Sequence, residues 1–196
     1  MRKPLSIISL SVAALWWWAG PALAESPTAY VGGILDKTMG IQSDASLTET
    51  ARRPRIHQII EGSFDFPLMA RDALGSEYGR LSAGQRQEFS QAFSYLFQDS
   101  YTRLVLNFLK QENIKYGRES REGDKARVNT AIVRPNESIP VTYLMHSTPQ
   151  GWILYDVMVD GVSILQNYRN EFSQVVRTKS FSYLLEKMRT QVKAVR

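Results

Sequence analysis

Few residues in this chain have the type and spacing to do chemistry. Asp156 is the most conspicuous, as the one charge within residues 152–159, among Leu154, Tyr155, Val157 and Met158. A carboxylate in apolar surroundings can be pushed up in pKa and act as an acid or base. It can also be structural, accepting hydrogen bonds or pairing with a cation such as Arg169. No second catalytic group stands beside it, which favours the structural reading. The two histidines, His57 and His146, fall on different elements, and no HExxH or similar spacing supplies further metal ligands. There is no cysteine, hence no thiol nucleophile or thiolate metal site. GxSxG, Walker and GxGxxG patterns are missing. The pair Tyr168-Arg169 could hold a phosphate or carboxylate, or be an amphipathic residue beside an exposed charge. No catalytic residue, metal or cofactor is expected.

The segment that positions Asp156 reads as a strand, dense in β-branched and aromatic residues and apolar on both sides. Strict alternation puts Ile153, Tyr155, Val157 and Val159 on one side, and Trp152, Leu154, Met158 and Asp156 on the other. A half-exposed strand would alternate apolar with polar, so both faces must be covered by helices, a second sheet or an apolar ligand. The uncharged side is expected to face a cavity, and the Asp156 side to meet protein groups that satisfy a carboxylate. Asp160-Gly161 signals a turn. Ser163 and Gln166 fit a capping box opening a helix with Ile164, Leu165, Tyr168, Phe172, Val175 and Val176 on one stripe.

The chain has 196 residues. Arg2-Lys3, an apolar run over 5–19 and Ala22-Leu23-Ala24 form a secretory signal peptide over 1–24, too short an apolar run for a membrane span. Residues 25–196 are expected to form one domain, with 22 basic against 19 acidic residues. That mildly basic, exported chain argues against a nucleic-acid partner. Helices are expected over 27–39 and 47–60, with Pro54 marking a break or a fresh first turn, and from Phe66-Pro67 behind the cap Asp65 to Gly75. Ser82 and Gln85 open the best helix, which carries Phe89, Phe93, Phe97, Tyr101, Leu104, Val105 and Phe108 to about Lys110. That stripe is a core helix or the wall of an apolar cavity. Four strands joined by short turns follow, then helices from Ser163 and Ser180. The fold class is α+β: a curled antiparallel sheet of about four strands packed with several helices. Residues 25–113 are mostly helical, 114–160 the sheet, and 161–196 the C-terminal helices.

Three stretches taken together, FDFPLMARDALG (64–75), AGQRQEFSQAFSYLFQDSY (83–101) and GWILYDVMVDGVSILQNYRNEF (151–172), resemble the MlaC family. These are periplasmic lipid-binding proteins, also called toluene-tolerance auxiliary proteins, of MCE-type ABC transport systems. The resemblance covers nearly all of the exported chain. Tyr78 stands where the family usually has Trp, and residues 177–180 lack the glycine expected between the last two helices. The resemblance implies a sheet and helices around a deep apolar pocket for phospholipid acyl chains. It implies shuttling between an outer-membrane lipoprotein complex and an inner-membrane MCE–ABC complex, which maintains outer-membrane lipid asymmetry. Carried over onto faces, lipid contacts would come from Phe66, Met69, Phe93, Phe97, Tyr101, Tyr143, Tyr155, Val157 and Val159, with Tyr168 and Arg169 as headgroup or structural polar groups. A related branch is associated with hopanoid biosynthesis, so a hopanoid or another apolar cargo is an alternative. Two further alternatives are a small exported enzyme using Asp156 and an exported adaptor with no ligand.

Overall fold

The computed structural model describes residues 25–109 and 112–195. The signal peptide expected over 1–24 and Lys110 lie outside them. Seven helices and five strands are present among the described residues: α1 (Pro27–Ser43), α2 (Glu49–Ser63), α3 (Phe66–Leu74), α4 (Ser76–Arg80), α5 (Ala83–Phe108), β1 (Asn113–Glu122), β2 (Lys125–Arg134), β3 (Glu137–Thr148), β4 (Gly151–Val159), β5 (Val162–Ser163), α6 (Ile164–Thr178) and α7 (Phe181–Val195). The strands form an open antiparallel meander in chain order. The fifth strand, only two residues long, closes the hairpin at Asp160-Gly161, where both residues have positive φ as this tight turn requires.

Local chemistry explains most boundaries. Asp65 Oδ1 accepts the Leu68 N–H at 3.0 Å and starts α3. Ser82 and Gln85 complete a reciprocal capping box on α5. Ser163 Oγ accepts the Gln166 N–H at 2.8 Å, but the Gln166 side chain reaches forward to Asn170 rather than back, so this cap is half a box. Pro54 does not break α2, which runs through it. Pro54 lies on the exposed side near the helix start, where water can take over the carbonyl that loses its partner. Between α6 and α7 no glycine is needed: Lys179 leaves the helix with φ −124° and Ser180 caps α7 through the Tyr183 N–H.

The alternation expected for β4 fails at one residue. Leu144 pairs with Asp156, but the next residue, Met145, pairs with Leu154, so Tyr155 is an extra residue in a β-bulge. Before the bulge Leu154 points inward with Met145, and after it Val157 and Val159 point inward with Tyr143 and Val141. Leu154, Val157 and Val159 therefore share the inner face, and Tyr155 leaves it. The expectation that Tyr155, Val157 and Val159 form one side, with Leu154 opposite, is corrected by this single insertion.

The interior has two parts. One is an aromatic block in which Phe89, Phe93 and Phe97 of α5, each at most 1% exposed, meet Tyr168 and Phe172 of α6 and Phe181 of α7. Ring centroids there lie 5.5–6.2 Å apart, the spacing aromatic pairs prefer, and Phe172 on Phe89 and Phe93, like Tyr168 on Phe93, is met edge-on at 80–81°. The other part is a cavity.

Candidate functional site

The cavity, about 190 Å³, lies between α1, α2, the C-terminal half of α5 and the inner face of the sheet. None of its twenty lining residues is charged. Ile34 and Leu35 come from α1, Ile56, Ile59 and Ile60 from α2, and Leu104, Val105 and Phe108 from α5. The sheet supplies Ile132, Ile139, Val141, Leu154, Val157 and Val159. The regularity behind each wall is local: Ile56, Ile59 and Ile60 recur at helical spacing, and Val141 and Tyr143 at strand spacing. Phe108, 46% exposed, marks an opening of the cavity. A cavity of about 150 Å³ lined by aliphatic and aromatic groups stays dry and takes up hydrocarbon, so this one suits an apolar occupant.

Its few polar groups are mostly satisfied by the protein. Thr38 Oγ1 donates to the Ile34 carbonyl at 2.7 Å, and Ser63 Oγ to the Ile59 carbonyl at 2.6 Å. The Tyr143 hydroxyl is hydrogen-bonded to the Thr130 side chain. Burial first, and neighbouring Tyr101 next, hold the Tyr143 phenol well above its ordinary pKa, so it is neutral. Burial alone raises Tyr101.

The end of α5 beside the opening is tied on two sides. Gln42 Nε2 of α1 reaches the carbonyls of Val105, Leu106 and Leu109 at 2.8–3.3 Å, which satisfies acceptors a helix end leaves open. Arg134 donates to the Phe108 carbonyl at 2.9 Å, lies over the Phe108 ring and pairs with Glu112 and Glu137. Further along, Arg53 of α2 and Arg103 hold the buried Asp99 at 2.8 and 2.7 Å.

Of the residues singled out by sequence, Tyr101, Tyr143, Val157 and Val159 line the cavity together. Phe66, Met69, Phe93 and Phe97 do not line it; all four are buried in the core, and the three phenylalanines pack against other rings. Tyr155 lies on the other side of the bulge, near His146 and under Lys125. Tyr168 is hydrogen-bonded to Ser100 and packs on Phe93, Phe97 and Phe172, away from the cavity. Exposed Arg169 lies over Gly75, whose positive φ gives the C-cap of α3, and is not among the partners of Asp156. Sequence reasoning missed Leu154, hidden by the bulge, and the α1 wall. Ile56, Ile59 and Ile60 recur at helical spacing, which marks an apolar edge but not a cavity wall.

Asp156 is committed to structure. Its carboxylate accepts the Ser163 hydroxyl at 2.5 Å and the N–H groups of Val157 and Leu165 at 2.8 and 3.0 Å, which ties β4 to the start of α6. Burial raises its pKa, and these hydrogen bonds partly offset the rise. His146 is not isolated: its Nε2 lies 2.9 Å from Asp65 Oδ2, joining β3 to the cap of α3. Among the described residues no group of three or more His, Asp or Glu side chains is placed to hold a metal.

Residues 34–190 match the family model described as MlaC protein. An intermembrane phospholipid transport system binding protein MlaC of Haemophilus influenzae is 28% identical over 122 residues, 59% of this chain. The match spans 56% of that relative, little more than half its length. The fold is similar to a phospholipid-binding protein from Ralstonia solanacearum solved in complex with a phospholipid, with a TM-score of 0.72 over 85% of this chain and 96% of that one at 19% identity.

Proposed function

The chain belongs to the MlaC family, and from that membership we propose that it is a lipid carrier whose cavity takes the acyl chains of a phospholipid. One observation carries this reading: a cavity with twenty lining residues and no charge, inside a domain large enough to have filled it. What the two relatives are named for agrees with it. Tyr101, Tyr143, Val157 and Val159 are the contacts we propose from the faces first assigned, joined by Leu154 and the isoleucines of α2.

The physics of carriage needs no reaction. Each acyl CH₂ removed from water is worth about 0.8 kcal/mol, so two chains of about 15 carbons avoid on the order of 24 kcal/mol. A protein that buries the chains cancels most of that cost and can hand lipid to a similar apolar site at little net free energy. In this reading the protein works in the periplasm after removal of residues 1–24. It exchanges lipid with an outer-membrane lipoprotein complex and an inner-membrane MCE–ABC complex. The enzyme alternative loses its best residue, since the Asp156 carboxylate is occupied by three donors.

The test is mass spectrometry of a solvent extract of protein purified from residue 25 onward without detergent. About one phospholipid per chain is expected. A clean absence of lipid refutes the carrier reading, and a hopanoid in its place changes the cargo but not the site.

A further inference from the structure

The inward stripe of α5 runs Phe89, Phe93, Phe97 and then Tyr101. The Tyr101 ring does what a fourth phenylalanine would do: it stacks on Phe97 at 5.7 Å and meets the edge of Phe64 at 5.4 Å. Its hydroxyl is the one atom this packing does not explain. Tyr101 lines the cavity, yet no hydrogen-bond partner is found for its hydroxyl among the described residues. The other polar groups on the wall, Thr38, Ser63 and Tyr143, are each paired within the protein. Thr102 Oγ1 is also unpaired, but it is enclosed by side chains and opens onto no space.

A hydroxyl on an apolar wall with no partner in the protein adds nothing to the packing, whereas the same group paired with a ligand oxygen is net favourable. Phenylalanine at 101 would keep the same ring contacts without it. We propose that Tyr101 donates a hydrogen bond to an oxygen carried by the bound lipid inside the cavity. It thereby favours oxygen-bearing chains over plain hydrocarbon of the same length. The phenol stays neutral and is a donor throughout the physiological range, because burial opposes its ionisation. Two sources carry such an oxygen: the ester carbonyl that joins chain to glycerol, and a hydroxyl on the chain itself. The inference rests on the carrier reading and adds to it a named contact and a ligand chemistry.

Competition between matched lipids tests it. Delipidated protein is incubated with vesicles of equal diester and diether phosphatidylcholine of one chain length, and separately with ricinoleic and oleic acids. The bound ratio is then read by mass spectrometry. The oxygen-bearing member of at least one pair is expected to be favoured about three- to tenfold, the range of one neutral hydrogen bond. A diester preference identifies the ester carbonyl; a ricinoleic preference identifies a chain hydroxyl. Tyr101→Phe should bring that ratio to about one, and its lipid-free form should melt no lower than the parent. Ratios near one in both pairs for the parent protein overturn the proposal, as does a preference that survives Tyr101→Phe. Failure to bind any of the four lipids overturns the carrier reading itself. Should Tyr101→Phe fail to fold, Tyr101→Leu is read in the same competition, and a preference that survives it overturns the proposal.

Discussion

One helix face meets two different neighbourhoods. From Phe89 to Phe97 the inward stripe of α5 is met by rings, Tyr168, Phe172 and Phe181, and the space is filled. From Tyr101 to Phe108 the same stripe faces branched aliphatic side chains of α1, α2 and the sheet across the cavity. The spacing along the helix is the same in both halves, so periodicity does not make the difference. Flat rings brought close by packed helices interlock. Short Ile and Val side chains reaching from a sheet and a separate helix pair do not meet. The cavity half forgoes side-chain dispersion contacts that the ring-packed half keeps. On our reading that loss is what leaves room for cargo.

The comparison can be attacked at its sharpest point first. Val157→Glu and Leu154→Glu place a carboxylate on the same cavity wall, and each should destabilise by roughly 5 kcal/mol, because a buried glutamate must be desolvated or neutralised. Both should hold little lipid. Strict strand alternation predicts instead that the two variants differ, one emptied and the other unfolded. Thermal melting with lipid quantification decides, and a clear split between them would argue against the bulge at Tyr155.

Next comes the filled half. Phe93→Ala removes a ring that is 0% exposed and should cost about 3–5 kcal/mol in urea unfolding. A loss under about 1 kcal/mol would mean the block is not solid. On the cavity half, Ile59→Ala should cost only about 1–2 kcal/mol, because its side chain faces the cavity rather than protein on one side. It should reduce bound lipid more than Phe93→Ala does per unit of stability lost. Equal costs at the two sites would erase the distinction between the halves.

The smallest effect is expected at Asp156, outside both halves. Asp156→Asn should cost about 1 kcal/mol and leave bound lipid in place, since it weakens one cap rather than a wall. The pH dependence has an unusual sign. Burial raises the folded-state pKa above the unfolded one, so the folded protein binds the proton more tightly. The Asp156 contribution to stability is therefore fullest below the unfolded pKa and declines as pH rises through the folded one. Asn at 156 should flatten that part of the stability–pH curve. An unchanged curve would refute the assignment.

Much of the scaffold was legible in the residues. The caps at Asp65, Ser82 and Ser163 act within four residues of themselves, and so does the Asp160-Gly161 turn. Val141, Tyr143 and Met145 alternate along β3 and pair with β2 without a register shift, so they share one face. The candidate site was legible only in part. Tyr101, Tyr143, Val157 and Val159 were named from their faces, but so were four residues that are packed core.

The division has one physical cause. Helix and strand periods state that a side chain is shielded from water, and the chain alone determines that. They do not state what shields it, which depends on elements distant in sequence. Phe93 is covered by α6 some eighty residues later, whereas Leu104 faces the cavity. The bulge at Tyr155 likewise arises from pairing with β3, so only the assembled sheet decided that Leu154 and Val157 look the same way.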